Sequence, residues 1–248
     1  MDLANELAVQ SWCFRHFKQN ENCIAQVKAS GLDRIELSAA HVDFAKPETF
    51  DAVIGLYQRS GVRIVSIGAV GFDTNAAAMR NYFEFLRKAG TRFIAVMFRI
   101  AAVPEAYRLA ERLAEEYDVR LGIHNHGGRH WQGSAEILAH VFAHTSPRIG
   151  LCLDTAWALD SGVDPVAMAE RFGERLYGLH LKDFVFDRAR RPKDVVVGTG
   201  NLDLGRLKQT LAKVRFDGIP VLEYEGDVEN PTPAVRQCAE AVRKAMKA

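Results

Sequence analysis

Short apolar runs alternate along the chain with longer stretches in which apolar and charged residues recur at helical spacing. The apolar runs predict buried strands, and the longer stretches, for example residues 74–88 and 104–116, predict amphipathic helices. Eight strands are predicted, at residues 7–14, 34–37, 62–67, 92–98, 119–124, 149–154, 176–181 and 219–223. Helix starts are predicted at Thr74, Ser134, Asp164 and Pro231 or Pro233, because these residue types favour the first turn.

The alternation of buried strands and helices predicts a parallel β-sheet that is covered by helices. Eight βα units fill the 248 residues, and a closed (β/α)8 TIM barrel has a usual size of about 250 residues. A doubly wound open sheet, which has about six strands, is the alternative fold. No linker or low-complexity tract divides the sequence, so we expect a single α/β domain over residues 1–248.

The charge and the cysteine content argue against several classes of protein. With 32 Lys+Arg against 31 Asp+Glu, the net charge of +1 gives no broad attraction for nucleic acid or an anionic membrane. The four cysteines form no Cys-x-x-Cys pair, which argues against a zinc ribbon or a disulfide scaffold. The first residues lack the basic charge of a signal peptide, and no apolar segment reaches bilayer length, so we expect a cytoplasmic protein. The oligomeric state stays open, a homo-oligomer included.

Polar residues end each of the last four predicted strands. They are His124, Asp154, His180 and Glu223, and each follows an aliphatic residue, so their side chains are expected to point into the barrel. Four buried ionisable groups are costly unless they are paired or bound to a cation. We therefore predict one divalent metal ion, and the two nitrogen ligands favour Mn, Co, Fe or Zn over Mg. For each residue taken singly, a hydrogen-bonded structural role is the alternative.

Further candidates follow from the same strand geometry. His126, Lys182 and Glu225 each lie two positions beyond a predicted ligand and share its direction, so they are candidates for proton transfer or for binding an oxyanion. Glu36 in the second strand could act as a base or contact substrate hydroxyls, and a salt bridge to Arg34 is its alternative role.

Two candidates for substrate contact lie in the connections. Trp157 follows the sixth strand and is predicted to wall the pocket or stack on a sugar face. The longest connection, residues 184–202, carries Arg188 in a basic cluster, which predicts either a clamp on a phosphate or carboxylate or a solvated turn. Trp12 and Phe14 are predicted to pack in the barrel core.

Five segments, IHNHGG, LDTAW, HLKDF, GTGNLDL and VLEYEGD, resemble the motifs of one enzyme group. The chain is similar over essentially its whole length to the sugar phosphate isomerase/epimerase group of xylose isomerase-like TIM barrels. That group includes hydroxypyruvate isomerases, ketose 3-epimerases, keto-inositol dehydratases and the endonuclease IV branch. Its pattern places His124, Asp154, His180 and Glu223 at the four metal-ligand positions. His124 replaces a glutamate of many relatives, and Trp157 replaces a histidine.

The resemblance implies a metal-dependent isomerase or epimerase of carbohydrate metabolism. Its substrate would be a small polyhydroxylated carbonyl compound, a sugar or sugar phosphate, that reacts by proton transfer through a metal-stabilised enediolate. Glu223 would carry the proton on one side, and the opposite side would use His126, Glu225, Glu36 or Lys182. A dehydratase or lyase that expels a β-hydroxyl is the first alternative, and a non-catalytic sugar- or metal-binding barrel is the second. The near-zero charge and Trp157 disfavour the endonuclease branch.

Overall fold

The computed structural model describes residues 3–128 and 130–247. Eight parallel strands close into a barrel in the order β1-β10-β7-β6-β5-β4-β3-β2. These strands are β1 (Ala8–Gln10), β2 (Arg34–Leu37), β3 (Arg63–Phe72), β4 (Phe93–Phe98), β5 (Arg120–His124), β6 (Ile149–Asp154), β7 (Leu176–Leu181) and β10 (Ile219–Leu222). The predicted (β/α)8 TIM barrel is confirmed.

Helices connect the strands and cover the outside of the barrel. They are α1 (Leu3–Glu6), α2 (Asn20–Ala29), α3 (Phe50–Ser60), α4 (Ala76–Ala89), α5 (Glu105–Glu116), α6 (Ala135–Ala143), α7 (Thr155–Asp160), α8 (Pro165–Arg171), α9 (Leu204–Lys213) and α10 (Thr232–Lys247). Among the described helices, none is long and apolar enough to cross a membrane.

Most helix starts are where the sequence predicts them. Ser134 caps α6, and Asp164 caps α8 with Pro165 as its first residue. The start predicted at Thr74 is wrong by one residue, because the side chain of Asn75 accepts the backbone N–H that caps α4. The last helix begins at Thr232, directly after Pro231.

Several strand boundaries differ from the prediction, and β3 continues to Phe72, five residues beyond its predicted end at residue 67. The first strand ends at Gln10 and not at residue 14, because the Gln10 side chain accepts the backbone N–H of Trp12 and starts a short 3-10 helix, Ser11–Phe14. The long connection after β7 contains an antiparallel hairpin of β8 (Asp183–Phe186) and β9 (Pro192–Val195). The turn after Gln10 and the hairpin change which side chains reach the barrel mouth.

The interior of the barrel is filled by the ring of Phe93. A Cβ at Gly122 would lie 2.8 Å from this ring, and a Cβ at Gly178 would lie 2.5 Å from it, so only glycine fits on the two facing strands. Cys152 and Tyr177 complete this apolar layer. The barrel is therefore packed inside, and its polar chemistry is confined to the carboxyl ends of the strands.

Candidate metal centre and active site

The four predicted ligands meet at the carboxyl ends of the strands. One ligand atom from each of His124, Asp154, His180 and Glu223 lies within 4.8 Å of the others, and all four residues are buried. His180 Nδ1 lies 2.7 Å from Glu223 Oε2 and 3.1 Å from His124 Nε2. A single ion could contact all four side chains after small adjustments of their positions.

The carboxylate of Asp154 supports a cation site. Its Oδ1 accepts the backbone N–H of Trp157 at 2.8 Å, so the residue caps α7 as well as ending β6. Among the described residues its Oδ2 has no hydrogen-bond partner, although the side chain is fully buried and Oδ2 lies 3.5 Å from His124 Nε2. A buried carboxylate oxygen without a partner is costly, and a divalent ion would satisfy it. Two imidazoles and two carboxylates therefore fit a metal ion.

Two amide and hydroxyl side chains align the ends of these strands. Asn125 donates from Nδ2 to the carbonyl of Asp154 at 3.0 Å and accepts the Asp154 N–H at 2.8 Å. Thr155 Oγ1 accepts the N–H of Lys182 at 3.0 Å, and its hydroxyl donates to the Lys182 carbonyl at 2.6 Å. These bonds continue the pairing of β5 with β6 and of β6 with β7, so the ligands at the strand ends are held in register.

Lys182 is a buried cation between two carboxylates. Its Nζ donates to Glu225 Oε1 and lies 3.6 Å from Glu223 Oε1. The same ammonium lies 4.9 Å from the ring centroid of Trp157 and 5.5 Å from that of Phe184. Aromatic faces stabilise a cation that has lost its water.

The charges of this cluster compensate one another. Burial alone would raise the pKa of Glu223, but the charges of Lys182, His180 and His124 hold that pKa well below its usual range. Burial alone would lower the pKa of Lys182, but Glu223, Asp154 and further carboxylates hold it above its usual value. Glu223 is thus an ionised carboxylate, and Lys182 stays an ammonium.

A cavity of about 360 Å³ opens over the ligands. Its described lining consists of Gln10, Trp12, Ser38, Ala39, Gly68, Ala69, Met97, His124, His126, Trp157, His180, Glu223 and Glu225. A cleft of about 490 Å³ elsewhere is larger, but four of its charged groups are already paired, Arg120 with Asp217 at 3.1 Å and Arg148 with Glu115 at 2.7 Å.

His126 and Trp157 form one wall of this cavity. Their rings stack with centroids 4.3 Å apart and an interplanar angle of 22°. Burial, and then the charge of His124, lower the pKa of His126, so its imidazole is neutral near pH 7. A Cβ at Gly127 would lie 2.4 Å from Trp157 Cε3, so glycine at this position allows the wall to form.

Trp12 belongs to the site, and the prediction that it packs in the core is wrong. It lines the cavity, is 40% exposed, and donates from Nε1 to Glu225 Oε2 at 2.9 Å. The prediction failed because it continued the first strand to residue 14, whereas the chain turns after Gln10. Phe14 is fully buried, as predicted.

Glu36 is fully buried and does not belong to the described cavity lining. Its Oε1 lies 2.8 Å from His180 Nε2. The alternative salt bridge with Arg34 does not form, because Arg34 pairs with Glu6 at 2.8 Å. Glu36 thus contacts a predicted metal ligand, and it is not one of the described residues that would face a substrate in the cavity.

Arg188 lies outside the described cavity lining, although the basic cluster around it suggested a clamp on the substrate. It is exposed in the turn between β8 and β9 and is not among the described residues that line the cavity. Of its basic neighbours, Arg191 pairs with Asp187 at 2.7 Å and Arg190 lies over the ring of Phe186. The structure does not bring this basic cluster to the metal ligands.

Asp183 fixes the segment after the hairpin, a role that the sequence did not reveal. Its buried carboxylate accepts four backbone N–H groups at 2.8 to 2.9 Å, those of Gly198, Gly200, Asn201 and Leu202. A Cβ at Gly200 would lie 2.6 Å from Asp183 Oδ1, so glycine permits this close approach. The GTGN sequence is therefore a cradle for a carboxylate.

The hairpin in turn holds Glu225. Asp194 in β9 accepts the backbone N–H of Glu225 at 3.1 Å. Burial raises the pKa of Asp194 to about 6. The chain from Asp183 through the hairpin to Glu225 thus forms one side of the barrel mouth.

Comparison with known proteins agrees with this architecture. The sequence profile of the xylose isomerase-like TIM barrel family matches residues 24–245. The rhizopine catabolism protein MocC of Rhizobium meliloti is 33% identical over 139 residues, which are 50% of this chain and 42% of MocC. An inosose dehydratase of Lacticaseibacillus casei is 28% identical over 141 residues, which are 51% of this chain and 47% of that enzyme. The matched region thus spans about half the length of these relatives.

Two solved structures share the fold over nearly the whole chain. The IolI protein with a bound zinc atom has a TM-score of 0.72 at 13% identity, and the match covers 97% of this chain and 98% of IolI. An L-ribulose 3-epimerase has a TM-score of 0.72 at 15% identity, with 97% and 94% covered. The profile match and the closed parallel barrel together show that the chain belongs to the xylose isomerase-like TIM barrel family.

Proposed function

We propose that this protein is a divalent-metal-dependent isomerase or epimerase of a polyhydroxylated carbonyl compound. One observation carries the proposal: Glu223 belongs to the buried ligand cluster and also lines the cavity. A carboxylate in both places can exchange a proton with a molecule that lies beside the metal. His126 and Glu225 line the same cavity and supply further proton carriers.

His124, Asp154, His180 and Glu223 would hold the ion. When bound, a divalent ion supplies positive charge that polarises a carbonyl group and lowers the cost of removing a proton from the neighbouring carbon. Mn, Co, Fe or Zn suits the two imidazole nitrogens better than Mg. The remaining work of catalysis, which is to orient the substrate and carry protons, falls to the side chains of the cavity.

Glu223 is assigned as the base. As an ionised carboxylate it accepts the proton from the substrate carbon next to the carbonyl group. Return of that proton to the former carbonyl carbon, with a compensating shift of a hydroxyl proton, gives isomerisation. Delivery of a proton to the opposite face of the original carbon, from the small fraction of His126 that is protonated near pH 7, gives epimerisation. Both outcomes conserve all atoms of the substrate and need no oxidant.

Lys182 and Glu225 are assigned supporting roles. Because Lys182 stays an ammonium, it cannot act as a base, and its charge instead positions Glu223 and Glu225 and stabilises nearby negative charge. Glu225 is held from the other side by the indole of Trp12 at 2.9 Å. Its carboxylate can accept hydrogen bonds from substrate hydroxyls.

The cavity favours an uncharged substrate over a sugar phosphate. No lysine or arginine is among the described residues that line it, and Arg188 is exposed on the hairpin turn. Phosphate recognition normally uses arginine, lysine or a helix N-terminus. Trp12 and Trp157 instead offer apolar faces, and Glu225 offers a hydrogen-bond acceptor, which is the chemistry that a free sugar or a cyclic polyol needs.

Dehydration is the second candidate function. It is favoured by the sequence relatives that are named inosose dehydratase, one of which is 28% identical over 141 residues. The first step is the same: Glu223 takes the proton from the carbon next to the carbonyl. The β-hydroxyl then leaves as water after it receives a proton from an acid such as His126 in its protonated form, and a carbon–carbon double bond remains.

Proton transfer can be tested without knowing the physiological substrate. The protein is loaded with Mn²⁺, Co²⁺ or Zn²⁺ and incubated in heavy water with free ketoses, their phosphate esters and an inosose, and the products are followed by NMR. Deuterium at the carbon next to the carbonyl group, with an isomer or epimer as product, supports the first proposal. An unsaturated product supports dehydration. A bound metal without deuterium uptake from any compound contradicts both and favours a binding protein.

Two variants make the assignment of the base specific. Glu223→Gln removes the proposed base and, compared at the same metal content as the wild type, is expected to lower exchange by about 10² to 10⁴, the usual contribution of general base catalysis. Glu229→Gln is the matched control, because Glu229 is an exposed glutamate that pairs with His16. Full exchange by the Glu223 variant would remove Glu223 from this role.

A further inference from the structure

Glu36 is a buried carboxylate whose oxygens are both held by protein groups. Gln10 donates from Nε2 to Glu36 Oε1 at 2.5 Å, and Ser66 donates from Oγ to Glu36 Oε2 at 2.7 Å. Gln10, Ser66 and Glu36 are all buried. A carboxylate that is fixed in this way inside a barrel is costly unless it serves a further polar group.

That further group is the imidazole of His180. The ring presents Nδ1 to the metal ligands, at 2.7 Å from Glu223 Oε2 and 3.1 Å from His124 Nε2. Its other nitrogen, Nε2, lies 2.8 Å from Glu36 Oε1, but among the described residues it has no partner with hydrogen-bond geometry, so a rotation of the ring is needed to align the Nε2–H with the carboxylate. The two ring nitrogens therefore face different partners, and the partner of Nε2 lies outside the cavity lining.

The orientation of a histidine ligand depends on its second nitrogen. A neutral imidazole carries one N–H, and the metal needs the nitrogen that carries none. A carboxylate beside the other nitrogen retains the proton there, fixes the ring and increases the electron density at the ligand nitrogen. We propose that Glu36 is a positioning residue that keeps the proton of His180 on Nε2, so that Nδ1 is available to the divalent ion.

The inference rests on the proposed metal-dependent function. It gives Glu36 a different role from the base or substrate contact that the sequence suggested. The thiol of Cys152 also contacts His180, but a thiol is a weak acceptor and carries no charge as an SH group. Glu36 is thus the stronger partner for the Nε2 proton.

Metal affinity and the spectrum of bound Co²⁺ test the role of Glu36 without any turnover. Co²⁺ affinity is measured by competition with a chelator for the wild type and Glu36→Gln, and the visible d–d absorption of the Co²⁺ forms is recorded. We expect Glu36→Gln to bind Co²⁺ about 10- to 100-fold more weakly and to shift the d–d bands, because loss of such a partner has this effect at other metal sites.

Two control variants separate positioning from general destabilisation. Cys152→Ala removes the neighbouring thiol, and Tyr57→Phe removes a buried hydrogen bond of 2.9 Å to Asn20 that is remote from the ligands. Both are expected to keep the wild-type Co²⁺ spectrum and an affinity within about threefold. If Glu36→Gln cannot be purified in folded form, Ser66→Ala loosens Glu36 and is expected to weaken Co²⁺ binding by about three- to tenfold.

The outcomes distinguish the two proposals. The role of Glu36 is overturned if the wild type binds Co²⁺ and Glu36→Gln, or Ser66→Ala in its place, shows the same affinity and spectrum. That result leaves the metal centre intact. The role of Glu36 is also overturned if Glu36→Gln alters the Co²⁺ affinity and spectrum no more than Tyr57→Phe does. Wild-type protein that binds no Co²⁺ overturns the metal centre itself and the positioning role with it.

Discussion

The cradle around Asp183 yields a prediction whose size follows from the structure. The buried carboxylate accepts four backbone N–H groups, two on each oxygen. Asp183→Asn keeps one acceptor oxygen and turns an NH2 group towards the other pair of donors. Two N–H groups of the cradle then lose their partners. Because Gly198, Gly200 and Asn201 are exposed residues, water replaces part of each lost bond, and the cost lies near the lower end of about 1–3 kcal/mol per group. We expect the variant to lose about 2 kcal/mol of folding free energy.

Thermal unfolding followed by circular dichroism measures this loss. For a chain of this length, 1 kcal/mol corresponds to about 2–4 °C, so Tm should fall by about 4–8 °C. Because the cradle supports the hairpin that holds Glu225, the variant should also bind substrate more weakly. Asp187→Asn is the matched control: Asp187 likewise accepts backbone N–H groups, from Ala189 and Arg191, but in an exposed turn. A fall in Tm of less than about 2 °C for Asp183→Asn would refute the reasoning.

Three further perturbations test other parts of the site. Removing the metal with a chelator should lower Tm by about 5–11 °C, since an ion present at a hundred times its Kd contributes about 2.7 kcal/mol, and an unchanged Tm would argue against a bound ion. Burial raises the folded-state pKa of Asp194 to about 6 from 3.8, so the wild type loses stability as the pH rises from 4 to 6. Asp194→Asn should therefore be the more stable protein at pH 7 by about 1–2 kcal/mol after screening by solvent, and a Tm difference that does not grow from pH 4 to pH 7 would contradict this. Trp12→Phe keeps an aromatic ring but loses the hydrogen bond to Glu225. With the substrate identified by the heavy-water experiment, kcat/KM should fall about fivefold, and an unchanged value would show that this hydrogen bond does not contribute to catalysis.

The sequence predicted the parts of the fold that depend on periodic burial. Buried aliphatic runs can be recognised locally, and the position of Asp154 or His180 at the end of such a run already implied a shared direction. The structure confirms that the four predicted ligands come together. Their assignment as ligands, and the proton-transfer roles, remain predictions that the experiments above address.

The contacts that sequence reasoning missed depend on chain reversals and on distant partners. Trp12 reaches the cavity because the chain turns after Gln10, and apolar periodicity cannot register a turn that a side-chain hydrogen bond starts. The hairpin from residue 183 to residue 195 contains charged, exposed residues that resemble a loop. Glu36 and His180 are 144 positions apart, so nothing in local sequence predicts their contact at 2.8 Å.

The metal centre is tested most directly by elemental analysis of the purified protein after dialysis against a weak chelator. We predict about one divalent ion per chain in the wild type and less than about a tenth of that when Asp154→Asn and His180→Ala are combined. The matched control is His140→Ala, which disrupts an exposed pair of histidines, His140 and His144, with ring centroids 4.2 Å apart, and it should keep the ion. A wild type without metal after exposure to Mn²⁺, Co²⁺, Fe²⁺ and Zn²⁺, or a double variant that retains as much metal as the wild type, would contradict the assignment.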